Sequence, residues 1–445
     1  MAEEVAMKKG VDARVGVIGA GPSGITAAKN LLQVGIKDVV VFEKGDQIGG
    51  NWVYSPRLSH SSVYETTHVI SSKRLSEYSD YPMPKDYPDY PSHKQLLAYF
   101  QNYAHDFGVT EHVRFSTEVC KAEKQPDETW RLTLGDGSVE AFDYLLVANG
   151  HHWNPRYPDY PGTFTGEYLH SHEFKSAAPF RDKRVLVIGG GNSACDIAVE
   201  TGRVSAFTAI SMRRGYYIVP KLILGQPADV LNERIIWLPD PIRVPLLYAS
   251  LWLSVGDFKD YGLERPKHGI LSQHLTMNSE LLYFLRHGRV NPRRDIARFD
   301  GKNVHFVDGK VEEYDVIVAA TGFVITHPFF EKSFIDYSDG DVPLYLRVFH
   351  PDHPSLFFIG LVQPLGCIWP LADGHARLAA NAIVGNYTPP PDMRERIAED
   401  VAARRRQFFK AARHTIEVEY HKHLHALQRE IPSNAPLWKK HTLVR

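Results

Sequence analysis

One motif occurs twice, and it constrains the fold more than any other feature. The first copy reads ARVGVIGAGPSGITAAKNLLQVGIKDVVVFEKG; the second, starting at Asp182, reads DKRVLVIGGGNSACDIAVETGRVSAFTAISMRRG. Each copy is a short β-rich apolar run, a glycine cluster, a stretch with helical spacing of apolar residues, and a second β-rich run. That order is β-loop-α-β. It predicts an α/β chain with two Rossmann-like dinucleotide-binding units. The first loop, Gly19-Ala20-Gly21-Pro22-Ser23-Gly24, is a full GxGxxG, and the second, Gly189-Gly190-Gly191-Asn192-Ser193-Ala194, is a GxGxxA. The first glycine makes a tight turn, the second lets a pyrophosphate approach the backbone, and the third small residue lets helix and strand pack closely. The phosphates then face N–H groups at a helix N-terminus. Gly19, Gly21 and Gly24 are therefore expected to hold one cofactor, and Gly189, Gly191, Asn192 and Ser193 the other.

The end of the second strand of each copy separates the two sites. Glu43 stands 24 residues after Gly19, and Arg213, followed by Arg214, stands 24 residues after Gly189. An acid at that distance binds the ribose hydroxyls of FAD or NAD, whereas an arginine accommodates the 2′-phosphate of NADP. The planar guanidinium fork suits phosphate. The arginine pair also fits a solvated loop charge. Glu43-Lys44 leads into Gly49-Gly50-Asn51-Trp52, a segment that brings backbone and an aromatic ring toward an isoalloxazine. Lys44, Gly50 and Trp52 are thus expected at an FAD site, although Trp52 taken alone also fits plain packing.

Two further apolar runs stop at glycine: FDYLLVANG, ending Ala148-Asn149-Gly150, and YDVIVAATGF, containing Ala320-Thr321-Gly322-Phe323. They are expected to be the joints where the chain passes between the two units, with Thr321 and Gly322 close to a cofactor. An ordinary strand end is the alternative.

Composition excludes other classes. Lys plus Arg is 51 and Asp plus Glu is 52, a formal charge of −1, so a basic nucleic-acid binder is not indicated. Apolar residues make up 43% and support large cores. Cys120, Cys195 and Cys367 lie far apart, form no CxxC pair and fit a reducing compartment. The most apolar run, Val244 to Val255, contains Pro245 and is short against the ~20 residues a bilayer needs. The N-terminus shows no signal-peptide run and the C-terminus no anchor, so a soluble cytoplasmic protein is expected. His421, His423 and His425 lie in a polar, helix-like segment, where a solvated face outweighs a metal site; no metal is expected. Residues 390 to 430 read as helical and charged, with Arg404 to Arg406 as a solvated face compatible with a homodimer contact.

With these residues in view, the chain resembles the flavin-containing monooxygenase family from about Val15 to about Arg377. The most specific match is Phe164-Thr165-Gly166-Glu167-Tyr168-Leu169-His170-Ser171-His172-Glu173-Phe174, which fits FxGxxxHxxx(Y/F). Phe174 stands where the related Baeyer–Villiger enzymes carry Trp, which favours the N- and S-oxygenating branch. YPDYPSH (Tyr87 to His93), ATGF, and SLFFIGLVQPLG (Ser355 to Gly366) also look like family segments. The resemblance implies FAD and NADPH as cofactors, with His170 orienting the joint and Gln363 at the cofactor. It implies a C4a-hydroperoxyflavin that oxygenates a soft amine nitrogen or sulfide with O₂; oxidation of ketones is the alternative.

Two departures stand out. The family's Asn beside flavin and substrate aligns with Ile70, which cannot hydrogen-bond; His68, Ser71 and Ser72 are the neighbouring donors. Gly374-His375-Ala376-Arg377 replaces a Gln-Ala-Arg-like segment. Ile70 and Ser71 are expected at the catalytic pocket. Asn278 resembles a family position near NADP or substrate, with an N-cap as the equal alternative. Tyr216 to about Arg289 interrupts the second unit and is expected to form a helical cover. The expected layout is an FAD-binding domain over 1–160 and 320–445, with an NADPH-binding domain over 161–319 inserted into it.

Overall fold

The computed structural model describes residues 10–272, 275–407, 416–433 and 435. The extreme N-terminus, most of the segment after Pro432, and part of the helical stretch expected over 390 to 430 lie outside them. Two five-stranded sheets dominate. Their strands in chain order are β1 (Val15–Ile18), β2 (Val39–Phe42), β3 (Val113–Arg114), β4 (Tyr144–Val147), β5 (Glu167–His170), β6 (Arg184–Ile188), β7 (Phe207–Ser211), β8 (Asn291–Arg293), β9 (Val316–Ala319) and β10 (Leu356–Phe358). The first sheet runs β10-β4-β1-β2-β3 and the second β8-β7-β6-β9-β5, and every pairing is parallel.

The repeat is longer than the motif. In both sheets the order around the glycine-loop strand is the same, β4-β1-β2-β3 in one and β9-β6-β7-β8 in the other. Each unit also carries an antiparallel three-stranded meander just before its last central strand. Val119–Lys124, Trp130–Leu134 and Val139–Phe142 form the first, and Ile296–Asp300, Asn303–Phe306 and Val311–Glu313 the second. The fifth strands differ in origin: β10 comes from beyond the second sheet, whereas β5 comes from ahead of β6. The first sheet therefore draws strands from both sides of the second, and the chain crosses between them twice.

The central strands VGVI, VVVF, YLLV and VIVA are wholly buried, as parallel strands covered on both faces must be. Helix α1 (Pro22–Gln33) follows the first glycine loop and α2 (Asn192–Val204) the second. Helix α3 (Ile368–Ile383) packs against α1 and is buried along almost its whole length.

The apolar run from Val244 lies in a helix, Asp240–Val255, with Pro245 inside it and Trp252 and Leu253 exposed. No described helix is long and apolar enough to cross a membrane. The charged C-terminal stretch is not one helix. Met393–Gln407 and Tyr420–Glu430 are helical, and between them Glu417–Val418 pairs with Gln363–Pro364.

Candidate active site

Both glycine loops open at the carboxyl ends of β1 and β6, where ligands of parallel α/β sheets bind. Their construction is the same. Gly19 has φ +100° and Gly189 φ +136°. A Cβ on Gly19 would stand 2.7 Å from the Ala148 carbonyl oxygen, and one on Gly189 2.4 Å from that of Ala320. The first glycine of each loop thus abuts the alanine that ends the neighbouring strand, so Ala148 and Ala320 belong to the two loops. A Cβ on Gly24 would lie 1.7 Å from the Gly19 carbonyl oxygen. In the second loop the equivalent residue, Ala194, has its Cβ 3.2 Å from the Cβ position of Gly189, and fits.

The residues present fit two dinucleotides. Both α1 and α2 have glycine N-caps, Gly21 and Gly191, with no side-chain cap, so no side chain covers the helix N-termini. A Cβ on Gly191 would meet nothing within 4 Å. Ser193 is exposed beside it, while the Asn192 Oδ1 accepts from the Met277 N–H at 2.7 Å and braces the loop. Thr276 Oγ1 donates to the Gly190 carbonyl at 2.8 Å, and the Tyr216 ring covers Gly190 so closely that a Cβ there would lie 2.2 Å from it. Arg213 is exposed after β7, and Arg214 is half-buried with its guanidinium 5.4 Å from the Tyr216 ring centroid.

At the first site, Glu43 is buried at the end of β2. Its Oε2 accepts from the Ala20 N–H and its Oε1 from the Gly45 N–H, both at 2.7 Å. Each carboxylate oxygen keeps a second lone pair for a ribose hydroxyl. Gly50 (φ +52°) packs on the first loop, where its Cβ would come 2.8 Å from Gly21 Cα. Trp52 packs edge-on against Trp369, with centroids 5.4 Å apart. Lys44 points elsewhere: its Nζ pairs with Glu118 at 3.3 Å and its side chain is 60% exposed.

The two crossings between the sheets run side by side. Pro155 pairs antiparallel with Phe323; the Arg156 N–H donates to the Gly322 carbonyl and the Val324 N–H to that of Asn154, both at 2.9 Å. Thr321 Oγ1 donates to the Arg156 carbonyl and Asn149 Nδ2 to that of Thr326. Thr321 and Gly322, expected near a cofactor, thus build a two-stranded hinge. His170, fully buried at the end of β5, accepts from the His172 N–H through Nδ1 at 3.1 Å, and its ring meets Phe323 edge-on. Burial pushes it down to about 4, so it is neutral at pH 7.

The FxGxxxHxxx(Y/F) segment is tied to the first half by polar contacts. Ser62 Oγ lies 2.8 Å from His172 Nδ1 and donates to the His152 carbonyl at 2.6 Å. Lys175, pushed down to about 8 by burial, donates to the Ser61 carbonyl at 2.6 Å. Tyr64 Oη donates to Asp196 of α2 at 2.8 Å, and burial raises the Asp196 carboxyl. A polar cavity of about 90 Å³ lies at this seam, lined by Tyr64, His68, Asp196, Glu200, Lys221 and Glu280 among others.

The expected catalytic residues are placed less openly. Ile70 is half-buried, and the Ser71 hydroxyl is 2.8 Å from that of Ser76. The adjoining Ser72 N–H donates to Asp229 in the helical insertion at 2.6 Å. Asn278 is 5% exposed: its Oδ1 accepts from the Glu280 and Leu281 N–H groups and its Nδ2 donates to Asp196 at 2.6 Å. These bonds close the turn ahead of the helix Leu281–Arg286, whose N-cap is Glu280, and brace that turn against α2. His375, in place of the family's Gln, is buried with Nε2 3.0 Å from His423 Nε2. Gln363 stands half-buried beyond β10 beside His151 and His152, two residues the sequence reading passed over. Their signal was present: they directly follow the strand-ending Ala-Asn-Gly.

Two parallel sheets, each with an uncapped glycine-loop helix and meeting at a shared hinge, define a two-dinucleotide flavoprotein oxidoreductase. Comparison with known proteins narrows the class. The flavin-binding monooxygenase-like family model matches residues 12–439. Flavin-containing monooxygenase 5 of Rattus norvegicus is 36% identical over 92% of this chain and 80% of its own length. Dimethylaniline monooxygenase [N-oxide-forming] 2 of the same species is 32% identical over 94% and 82%. Among solved structures, S-allyl-L-cysteine S-oxygenase from Allium sativum shares the fold, with a TM-score of 0.69 and 24% identity over 95% of this chain and 89% of that one. The chain belongs to the flavin-containing monooxygenase family and is an FAD- and NADPH-dependent monooxygenase.

Proposed function

We propose that the first glycine loop holds FAD, the second holds NADPH, and the substrate is a small amine or sulfide that approaches at the joint between them. The observation that carries this reading is the common construction of the two loops, each abutting the strand that leads into the shared hinge. Bound at the first loop, a flavin would supply the redox chemistry between NADPH and O₂. The chain supplies position and exclusion of water.

In this reading Glu43 accepts hydrogen bonds from the flavin-side ribose through its two remaining lone pairs. Arg213 and Arg214 bind the 2′-phosphate and set the preference for NADPH. Tyr216 and Thr276 hold the second loop in shape. His170, Thr321 and Gly322 hold the hinge. Ile70 contributes apolar surface where the family has an amide, and Ser71 is spent on Ser76. Asn278 positions α2 and makes no contact with substrate. The units are residues 1–160 with 320–445, and residues 161–319. Near-neutral charge and scattered cysteines suit a reducing, cytoplasmic setting.

The test is turnover of purified enzyme with NADPH, O₂, and in turn a tertiary amine, a thioether and cyclohexanone. N-oxide and S-oxide without lactone are expected. Lactone in place of either oxide overturns the substrate assignment in favour of ketone oxidation.

A further inference from the structure

The carboxyl ends of β4 and β10 bring three polar side chains to one point. Gln363 Oε1 lies 3.1 Å from His152 Nε2 and 3.4 Å from His151 Nε2. Two arrangements of protons satisfy these distances. In the first, the amide oxygen accepts from both imidazoles, which carry their protons on Nε2. In the second, the amide is reversed, its nitrogen donates to both rings, and the ring protons move to Nδ1. His151 decides between them. Its Nδ1 is buried with no partner among the described residues. The second arrangement would bury an unmatched N–H there, which native proteins rarely tolerate, whereas the first leaves only a bare ring nitrogen. His151 is neutral, because burial and the adjacent His152 push it well down.

The first arrangement fixes the other end of the amide. With Oε1 held by two rings, the Gln363 NH₂ group is turned away from them, and among the described residues it makes no hydrogen bond. Gln363 is half-buried, its ring partners follow closely on Ala148, whose carbonyl abuts Gly19 of the first loop, and the ring pair is itself held. His151 and His152 are 4.2 Å apart by centroid, His152 packs on Phe323 of the hinge, and the His152 carbonyl accepts from Ser62 Oγ.

We infer that His151 and His152 are positioning residues that lock the Gln363 carboxamide as a hydrogen-bond donor facing the bound flavin. This rests on the assignment of the first crevice to FAD. A fixed donor at a flavin favours the reduced form, in which the ring carries more negative charge. The histidines touch Gln363 and act through it.

The test measures the midpoint potential of the bound flavin in holoenzymes with matched FAD content. His152→Asn keeps a polar group too short to reach Gln363, His152→Gln restores the reach, and Gln363→Met removes the donor. At fixed potential, the reduced-to-oxidised ratio is expected to fall about tenfold in His152→Asn and Gln363→Met, the worth of one hydrogen bond to a charged group. It is expected to return to within about twofold of the parent in His152→Gln, since one long amide replaces one ring donor. An unmoved potential in His152→Asn, or no recovery in His152→Gln, overturns the inference. If either His152 variant does not accumulate as flavoprotein, Gln363→Met decides, and an unmoved potential there overturns it. A parent protein that binds no FAD would instead overturn the cofactor assignment itself.

Discussion

At the scale of single residues, the two glycine loops differ in what they tolerate. The third position of the first loop must lack a Cβ, because the atom it would strike is the backbone oxygen of Gly19, 1.7 Å away, which no rotamer change can relieve. Gly24→Ala is therefore expected to give a protein that does not retain FAD, even though alanine suits a helix better. A yellow, fully loaded Gly24→Ala enzyme after gel filtration would show that the loop shifts more freely than its packing implies. At the strand end of the second copy, replacing Arg213 and Arg214 by alanine is expected to raise the KM for NADPH about 10- to 100-fold, the range for lost charge-assisted hydrogen bonds. The KM for NADH is expected to stay nearly unchanged. An equal loss with both nucleotides would remove the 2′-phosphate role.

Residue types legible in the sequence were those whose role is backbone geometry or charge at a fixed spacing. Gly19, Gly24, Gly189 and Glu43 fall where the motif puts them because the motif is a statement about local covalent reach. Roles that depend on three-dimensional neighbours were not legible. Nothing in the sequence around Asn278 shows that Asp196 will claim its amide, or that Glu118 will draw off Lys44.

At the scale of elements, α1 and α3 are fastened by a buried ionic network. Lys29 Nζ lies 2.6 Å from Asp80 and 2.9 Å from Asp373, and Arg377 Nε lies 3.0 Å from the other Asp373 oxygen. Lys29, Asp373 and Arg377 are each at most 2% exposed. Burial alone would raise the Asp373 carboxyl, but Lys29 and Arg377 outweigh it and hold it well below its usual 3.8. A depressed carboxyl contributes stability in full above its unfolded value and loses it as pH falls toward the folded one. Lys29→Met leaves Asp373 and Asp80 short of a cation in the interior and is expected to cost about 3–5 kcal/mol. Urea unfolding at pH 7 checks the loss, and below about pH 4, near the unfolded carboxyl value, the difference from the parent should shrink. A midpoint shifted by less than about 1 kcal/mol at pH 7, as for an exposed pair, would contradict this account.

Sequence periodicity found β1, α1 and β2, and their counterparts in the second copy, because each is a strong, short-range apolar pattern. The meanders that complete each repeat, and β10, which joins the first sheet from beyond the second, are products of long-range pairing. So is the break near Glu417, where the expected single charged helix gives way to a strand because Gln363–Pro364 offers it backbone partners.

At the scale of the whole molecule, two copies of one unit are arranged so that the first loops of both face strands leading into one hinge. The chain crosses twice at that hinge, and Ser62, His172 and Lys175 tie its flanks. In the proposed reading the cofactors carry the reaction, and the two loops bring them to one joint. An oxygen atom of O₂ is expected to end on a nitrogen or sulfur centre at the cost of NADPH. Mass analysis of methyl phenyl sulfide turned over with NADPH under ¹⁸O₂ tests it directly. One ¹⁸O atom in the sulfoxide and one NADPH consumed for each sulfoxide formed are expected. NADPH oxidation that yields only hydrogen peroxide, or a sulfoxide carrying oxygen from water, would contradict it.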